Sequence, residues 1–255
     1  MSIVYGPVPS WRLGRSLGVD PVSTRGKTCS FNCVYCQLGP TRHPLTKRRI
    51  FVEPEALAAE LERVKQKGIE LDYITFSGIG EPTLASNLAE LVQVVRRIFP
   101  HHPIAILTNS SLFPLAEVRR DLAGFDLIAA KVDAPDEGSF KAINRPFVPF
   151  TLAEIIEGIK RLRDEFTGKL ALQMMFIPQN KDRAADMARI ARSIGPDEIQ
   201  LNTPLRPSPV QPLTPEEMAQ IEAAFQGLPY INVYRASRPT VQPLDTAEMR
   251  RRRPE

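Results

Sequence analysis

The chain has no window approaching ~18 uninterrupted apolar residues, which excludes a membrane-spanning helix of ordinary composition. Its first ten positions include Ser2, Tyr5, Pro7 and Pro9 and lack the basic-then-apolar profile of a secretion signal. The protein is therefore expected to stay in the cytoplasm, with no membrane partner. Charge of one sign is lacking too: 33 basic against 29 acidic residues leave +4, part of it in the block Arg250 to Arg253, so composition alone gives no nucleic-acid footprint. No internal repeat, low-complexity tract or Walker-type loop occurs, and Gly78-x-Gly80 is not followed by the third glycine of a dinucleotide fingerprint. A P-loop enzyme or a dinucleotide-dependent dehydrogenase is thereby disfavoured. Cysteine is scarce, and Cys29, Cys33 and Cys36 share one short loop, so a disulfide framework would leave one thiol over. What is present is globular: 255 residues, 43% hydrophobic and 24% charged, enough for one large core or two ordinary ones. Proline, at 24 residues, is nearly double the usual ~5%, which stiffens many connections.

Three thiols in Cys-x3-Cys-x2-Cys spacing can converge on one inorganic centre, because a tight loop turns alternate side chains inward. Zinc is the competing occupant, since Cys3His is a standard structural set and His43 follows Cys36 by seven positions. The bland alternative is three small buried hydrophobes. The segment Cys29-Ser-Phe-Asn-Cys33-Val-Tyr35-Cys36, with an aromatic just before the third cysteine, resembles the cluster loop of radical S-adenosylmethionine (SAM) enzymes. Phe76-Ser-Gly78-Ile-Gly80-Glu81-Pro82 is similar to the Gly-Gly-Glu-Pro motif of that superfamily, with Ile79 intervening between the glycines. The run Tyr5 to Val19 and the segment Leu201 to Pro207 look like the small radical SAM proteins related to wyosine-base tRNA-modifying synthases.

This resemblance implies one 4Fe–4S cluster on Cys29, Cys33 and Cys36, with SAM chelating the open iron and its amino group meeting the Gly-Gly-Glu-Pro segment. It implies reductive SAM cleavage to a 5′-deoxyadenosyl radical, an electron donor such as flavodoxin or ferredoxin, and an RNA as candidate substrate. Wyosine-forming relatives hold a second cluster on further cysteines, and none is left over here. One cluster only is therefore expected, and no tricyclic wyosine product.

The scaffold can be followed without any family. Apolar runs at 71–76, 104–107, 126–132, 170–177 and 198–201 read as strands, with one more before Cys29. Helical spacing links Leu57, Leu61 and Val64 after Pro54, and Leu88, Leu91, Val92, Val95 and Ile98 after a Ser86 cap. Further helices are expected at Leu115 to Leu122, entered through Pro114, and at 182–194. Capping boxes open helices at Thr151 and Glu154 and at Thr214 to Glu217. About six β/α units result, so the fold class is α/β, a partial (β/α)6 barrel of parallel strands with cluster and SAM at the strand C-termini; an open doubly wound sheet is the alternative. Residues 1–20 are expected to cover the barrel, 21–227 to form it, and 228–255 to make an extension with a strand and a basic tail. The proline-rich stretch 204–212 is expected to wrap its surface.

Each strand end carries a polar candidate. Gly78 and Gly80 remove side chains where a ligand approaches main chain, and Glu81 offers a carboxylate to an ammonium. Asn109, Asp133, Asn202 and Tyr35 complete the cofactor-binding set, although Asp133 could pair structurally with Lys131, and Asn202 could only cap a turn. His101 and His102, between Pro100 and Pro103, read as a connector. Arg42, Lys47, Arg48 and Arg49 form either a solvated face or a guide for a phosphate-bearing substrate. Trp11, Arg12 and Arg15 either pack over the mouth or bind substrate. Two other classes compete with the enzyme: a zinc-stabilised RNA-binding module without catalysis, and an electron carrier without SAM, for which the Gly-rich loop would have no use.

Overall fold

Apolar residues alternate along short strands and recur at helical spacing between them, and the computed structural model, which describes residues 2–254, converts that pattern into one sheet with helices behind it. In chain order, β1 (Val4–Ser10) and β2 (Gly14–Val19) form a hairpin, and the two-residue strands β3 (Thr28–Cys29) and β4 (His43–Pro44) pair with each other. Then come α1 (Pro54–Lys65), β5 (Tyr73–Phe76), α2 (Leu88–Ile98), β6 (Ile104–Thr108), α3 (Ala116–Asp121), β7 (Leu127–Lys131), α4 (Glu137–Ile143) and α5 (Leu152–Glu165). The chain continues through β8 (Lys169–Met175), α6 (Ala184–Ile194), β9 (Glu198–Asn202), α7 (Pro215–Glu222), β10 (Tyr230–Asn232) and α8 (Thr246–Arg252). The sheet order is β1-β2-β5-β6-β7-β8-β9-β10, parallel except for β1, and it curls into a half-barrel with flanking helices. Both capping boxes form, at Thr151 with Glu154 and at Thr214 with Glu217.

Strand alternation divides the interior in two. Ile104, Ile106, Ile128, Ala130, Leu170, Leu172, Ile199 and Leu201 join the large core shared with the helices. Their neighbours Ala105, Leu127, Ala129 and Ala171 form a separate small cluster with Leu13 on the other face of the sheet. Small side chains on that inner face leave room, and the polar residues Thr75, Lys131, Gln173 and Asn202 line a cavity above it.

Three expectations need correction. Residues 1–20 do more than cover the barrel: they supply β1 and β2, β2 pairs in parallel with β5 as the first barrel strand, and the turn between them lines the cavity. Pro7 and Pro9 obscure β1 in the sequence, but β1 is the outermost strand, where a missing N–H is tolerated, and its register shifts between Tyr5 and Val8. Ser86 does not cap α2; Asn87 occupies that position without a side-chain cap, its amide donating instead to the Val52 carbonyl oxygen at 3.0 Å. The proline-rich stretch does not merely wrap the surface, since Pro204, Leu205 and Arg206 line the cavity.

The basic tail is in part built into the fold. Arg252 is fully buried, its Nε donating to Asp20 Oδ2 at 2.9 Å and its Nη1 to Glu248 Oε2 at 2.7 Å, with the guanidinium 4.8 Å from the Tyr5 ring centroid. Burial works against this charge, and Asp20 and Glu248 outweigh it, holding the Arg252 pKa above its ordinary value. Arg48 in the other basic stretch is also tied down: it pairs with Asp121 and donates to the carbonyl oxygens of Thr83 and Ala85 at 3.0 and 2.9 Å. Among the described residues, no helix is long and apolar enough to cross a membrane.

Candidate functional site

The cysteine loop follows β3, and the Gly-rich segment follows β5; the backbone joins them directly. Thr28 N donates to Ile79 O at 3.3 Å and Glu81 N to Thr28 O at 3.2 Å, a parallel bridge between Thr28 and Gly80. This contact explains both glycines. A Cβ on Gly80 would collide with the Thr28 carbonyl oxygen, and one on Gly78 with the Asp20 carboxylate. The close approach that the glycines permit is thus to the protein's own groups. Gly80→Ala is accordingly expected to displace Thr28, and with it Cys29, costing at least about 3 kcal/mol because backbone atoms cannot yield as side chains do. Urea denaturation checks the cost, and the same variant should lose cluster content together with SAM affinity.

Glu81 is buried, and burial raises its pKa while its hydrogen-bond donors counter the rise. Its Oε1 accepts from Thr83 N at 3.1 Å, Thr83 Oγ1 at 2.7 Å and Thr108 Oγ1 at 2.6 Å, and its Oε2 from Asn109 N at 2.7 Å. Through these bonds Glu81 locks the ends of β5 and β6 together. Asn109 acts on the cysteine loop: its Nδ2 donates to Ser30 Oγ at 2.9 Å and lies 3.6 Å from Cys29 Sγ, and its Oδ1 accepts from Ser111 N at 3.0 Å.

Asp133 is spent in a similar way. Its Oδ1 accepts from Met175 N at 3.0 Å; its Oδ2 accepts from the Tyr35 hydroxyl and from Asn144 Nδ2 at 2.9 Å, with Lys131 Nζ at 3.5 Å. Lys131 Nζ also donates to the Tyr35 hydroxyl at 2.8 Å and sits 4.3 Å from its ring centroid. Burial, followed by the Asp133 charge, pushes the Tyr35 phenol well above its usual value, so it remains a donor. Asp133 therefore positions Tyr35 and Lys131, and these two line the cavity while Asp133 does not. Asn202 both lines the cavity and accepts from Thr203 N at 3.0 Å, the turn-capping alternative.

Cys29 is buried, and burial with the Glu81 charge pushes its thiol up to about 12; burial also raises Cys33. Asn144 Nδ2 lies 3.5 Å from Cys33 Sγ, and Cys36 opens onto the cavity. Three sulfurs from one loop, two of them met by amide N–H donors, fit a 4Fe–4S cluster whose thiolates need such hydrogen bonds. A single ion fits less well: among the described residues no three His, Cys, Asp or Glu side chains converge as one ion requires, and His43 is exposed in β4. A cubane holds its cysteine sulfurs farther apart than one zinc ion does. Sequence reasoning missed Asn144, Ser111 and Asp20, which carry no motif and reach the site only through tertiary contact.

A half-barrel of parallel strands with a three-thiol loop and a glycine-rich strand end meeting at its C-terminal mouth defines a barrel enzyme built around a metal–sulfur cofactor. The chain belongs to the radical SAM superfamily, whose profile matches residues 24–191. It is 42% identical over 209 residues to the UPF0026 protein slr1464 of Synechocystis, covering 82% of this chain and 77% of that one. A radical SAM methyltransferase from Sphaerobacter thermophilus shares the fold with a TM-score of 0.65 at 19% identity, over 85% of this chain and 65% of that one. SuiB of Streptococcus suis, bound to S-adenosylmethionine, does so with a TM-score of 0.61 at 13% identity, over 81% and 48%. The chain thus spans about half to two thirds of these solved structures, and at such identities they show the fold alone. As a superfamily member the protein is a radical SAM enzyme that binds a 4Fe–4S cluster and SAM and needs a reductant.

Proposed function

We propose that this enzyme carries a single 4Fe–4S cluster on Cys29, Cys33 and Cys36, with SAM between the cysteine loop and Gly78 to Glu81, and abstracts hydrogen from a substrate in the adjoining cavity. The bridge between Thr28 and Gly80 carries this reading, because it brings the thiol loop and the glycine-rich strand end to one mouth. When bound, the cluster supplies an electron that cleaves SAM to methionine and a 5′-deoxyadenosyl radical, which takes a hydrogen atom from the substrate.

The chain's own work is placement. Asn109 and Asn144 donate towards the sulfurs of Cys29 and Cys33, and Asp133 holds Tyr35 and Lys131 at the cavity wall. Ala105, Ala129 and Ala171 make an apolar floor that keeps water scarce below the mouth, which protects a reactive species. SAM's own atoms are expected to meet main-chain groups of the Gly78 to Glu81 segment, given that the Glu81 carboxylate is already engaged. The electron is expected from a low-potential donor such as flavodoxin or ferredoxin.

Anaerobic reconstitution followed by chromatography for 5′-deoxyadenosine tests the proposal. About four irons and four sulfides per chain, with 5′-deoxyadenosine formed under a chemical reductant, are expected. Colourless protein holding one zinc, or a loaded cluster that leaves SAM intact, would overturn it; eight irons would sink the single-cluster claim.

A further inference from the structure

The cavity onto which Cys36 opens is also lined by arginines that the site described above does not use. It measures about 270 Å³, and the charged side chains among its described lining residues are Arg12, Lys131, Arg206, Arg238 and Arg253, with no carboxylate among those described. Lys131 belongs to the Tyr35 and Asp133 group. The four arginines come from distant parts of the chain: the turn between β1 and β2, the stretch after β9, the stretch after β10, and the end of α8.

Arg12 is the informative member. Its Nε and Nη1 are buried without a hydrogen-bond partner, and its guanidinium lies 5.1 Å from the Trp11 ring centroid. A buried guanidinium donor without an acceptor is costly, and crowding it with like charge adds to that cost. Burial, followed by repulsion from Arg253 and Arg206, pushes the Arg12 pKa down to about 9, with Glu198 acting the other way. Arg253 is held in place by its Nη2 donating to Ser77 Oγ at 2.8 Å and by the Tyr5 ring at 5.8 Å. An arrangement so unfavourable for the empty protein is what a site pre-organised for an anion requires.

We propose that this cavity binds a small phosphate-bearing molecule, whose phosphate is held by Arg12 together with Arg206, Arg238 and Arg253. The assignment rests on the reading above that the cavity is the substrate chamber, and it names the substrate's class. Charge decides for phosphate over a simple carboxylate: four guanidiniums face one site, and a phosphate monoester brings −1.5 to −2 charge with three acceptor oxygens, where a carboxylate brings one charge and two. Guanidinium forks match phosphate geometry. Size decides for a small molecule, because the hairpin turn, the segment from Pro204 to Arg206 and Arg253 all border this chamber.

The test is a thermal melt of the full chain with inorganic pyrophosphate as probe, using wild type, Arg12→Met and Arg12→Lys. Wild type should melt higher with pyrophosphate than without. Arg12→Met should melt about 2–4 °C higher than wild type without the probe, the shift that ~1 kcal/mol of relieved cost gives at this chain length. It should also lose the pyrophosphate-induced rise, with binding weakened at least tenfold by calorimetry; Arg12→Lys should keep part of it. A purely structural arginine would instead lower the melting temperature when removed. Three results would overturn the proposal: no pyrophosphate-induced rise in wild type, equal rises in wild type and Arg12→Met, or displacement of pyrophosphate by unfractionated tRNA at lower phosphate concentration than by a nucleoside diphosphate. SAM affinity and iron content, measured on the same samples, keep this result apart from the enzymatic reading. Intact SAM cleavage without a pyrophosphate response sinks only the phosphate site, and a pyrophosphate response without SAM cleavage sinks only the reaction.

Discussion

Replacing any one of Cys29, Cys33 or Cys36 with alanine is expected to remove the brown cluster absorbance and reduce 5′-deoxyadenosine formation to background, while the far-ultraviolet circular dichroism stays that of the wild type. Loss should be complete because no spare thiol exists: these are the only cysteines in the chain. The fold should tolerate the change, because Cys33 and Cys36 are only partly buried and Cys29 is small, so each substitution should cost about 1 kcal/mol. A triple variant that still bound four irons after reconstitution would show that the cluster sits elsewhere.

The second large effect concerns a pair that no motif announces. Asp20→Ala is expected to destabilise the protein by about 3–5 kcal/mol, the usual consequence of removing one partner from a buried ion pair and leaving the other charge uncompensated. At this chain length that is a fall in melting temperature of roughly 10 °C. Asp20 also accepts from Ile79 N at 3.2 Å and from Ser23 N at 2.9 Å, so SAM affinity should fall with stability. Arg252→Met should cost less, because Asp20 would keep those backbone donors while an apolar side chain of similar length filled the space beside Tyr5. Equal melting temperatures for the two variants would show that the pair is not what secures the Gly-rich loop.

The parts legible in the sequence were those set by local pattern. Parallel strands at β5 to β9, the capping boxes at Thr151 and Thr214, and a three-thiol loop at the strand ends all follow from short-range spacing. The strand β1 was hidden because Pro7 and Pro9 argue against a strand until one knows that it lies at the sheet edge. Roles at the site were less legible, for a physical reason. Glu81, Asn109 and Asp133 were correctly placed at strand ends, yet a carboxylate or amide there can face a ligand or a neighbouring strand, and only the three-dimensional partners decide. Arg252 illustrates the extreme: a run of four arginines carries no sign of which is buried, and one of them is fully buried.

That buried pair also has a consequence for how the molecule is made. Asp20 and Arg252 are separated by 232 positions. Synthesis at roughly 5–20 residues per second puts roughly 10–50 s between the two, and for nearly all of that interval the cysteine loop exists while the clasp over the Gly-rich loop does not. The nascent chain thus presents its three thiols beside an unfastened barrel mouth, and the mouth is fastened only after the eight sheet strands have been made.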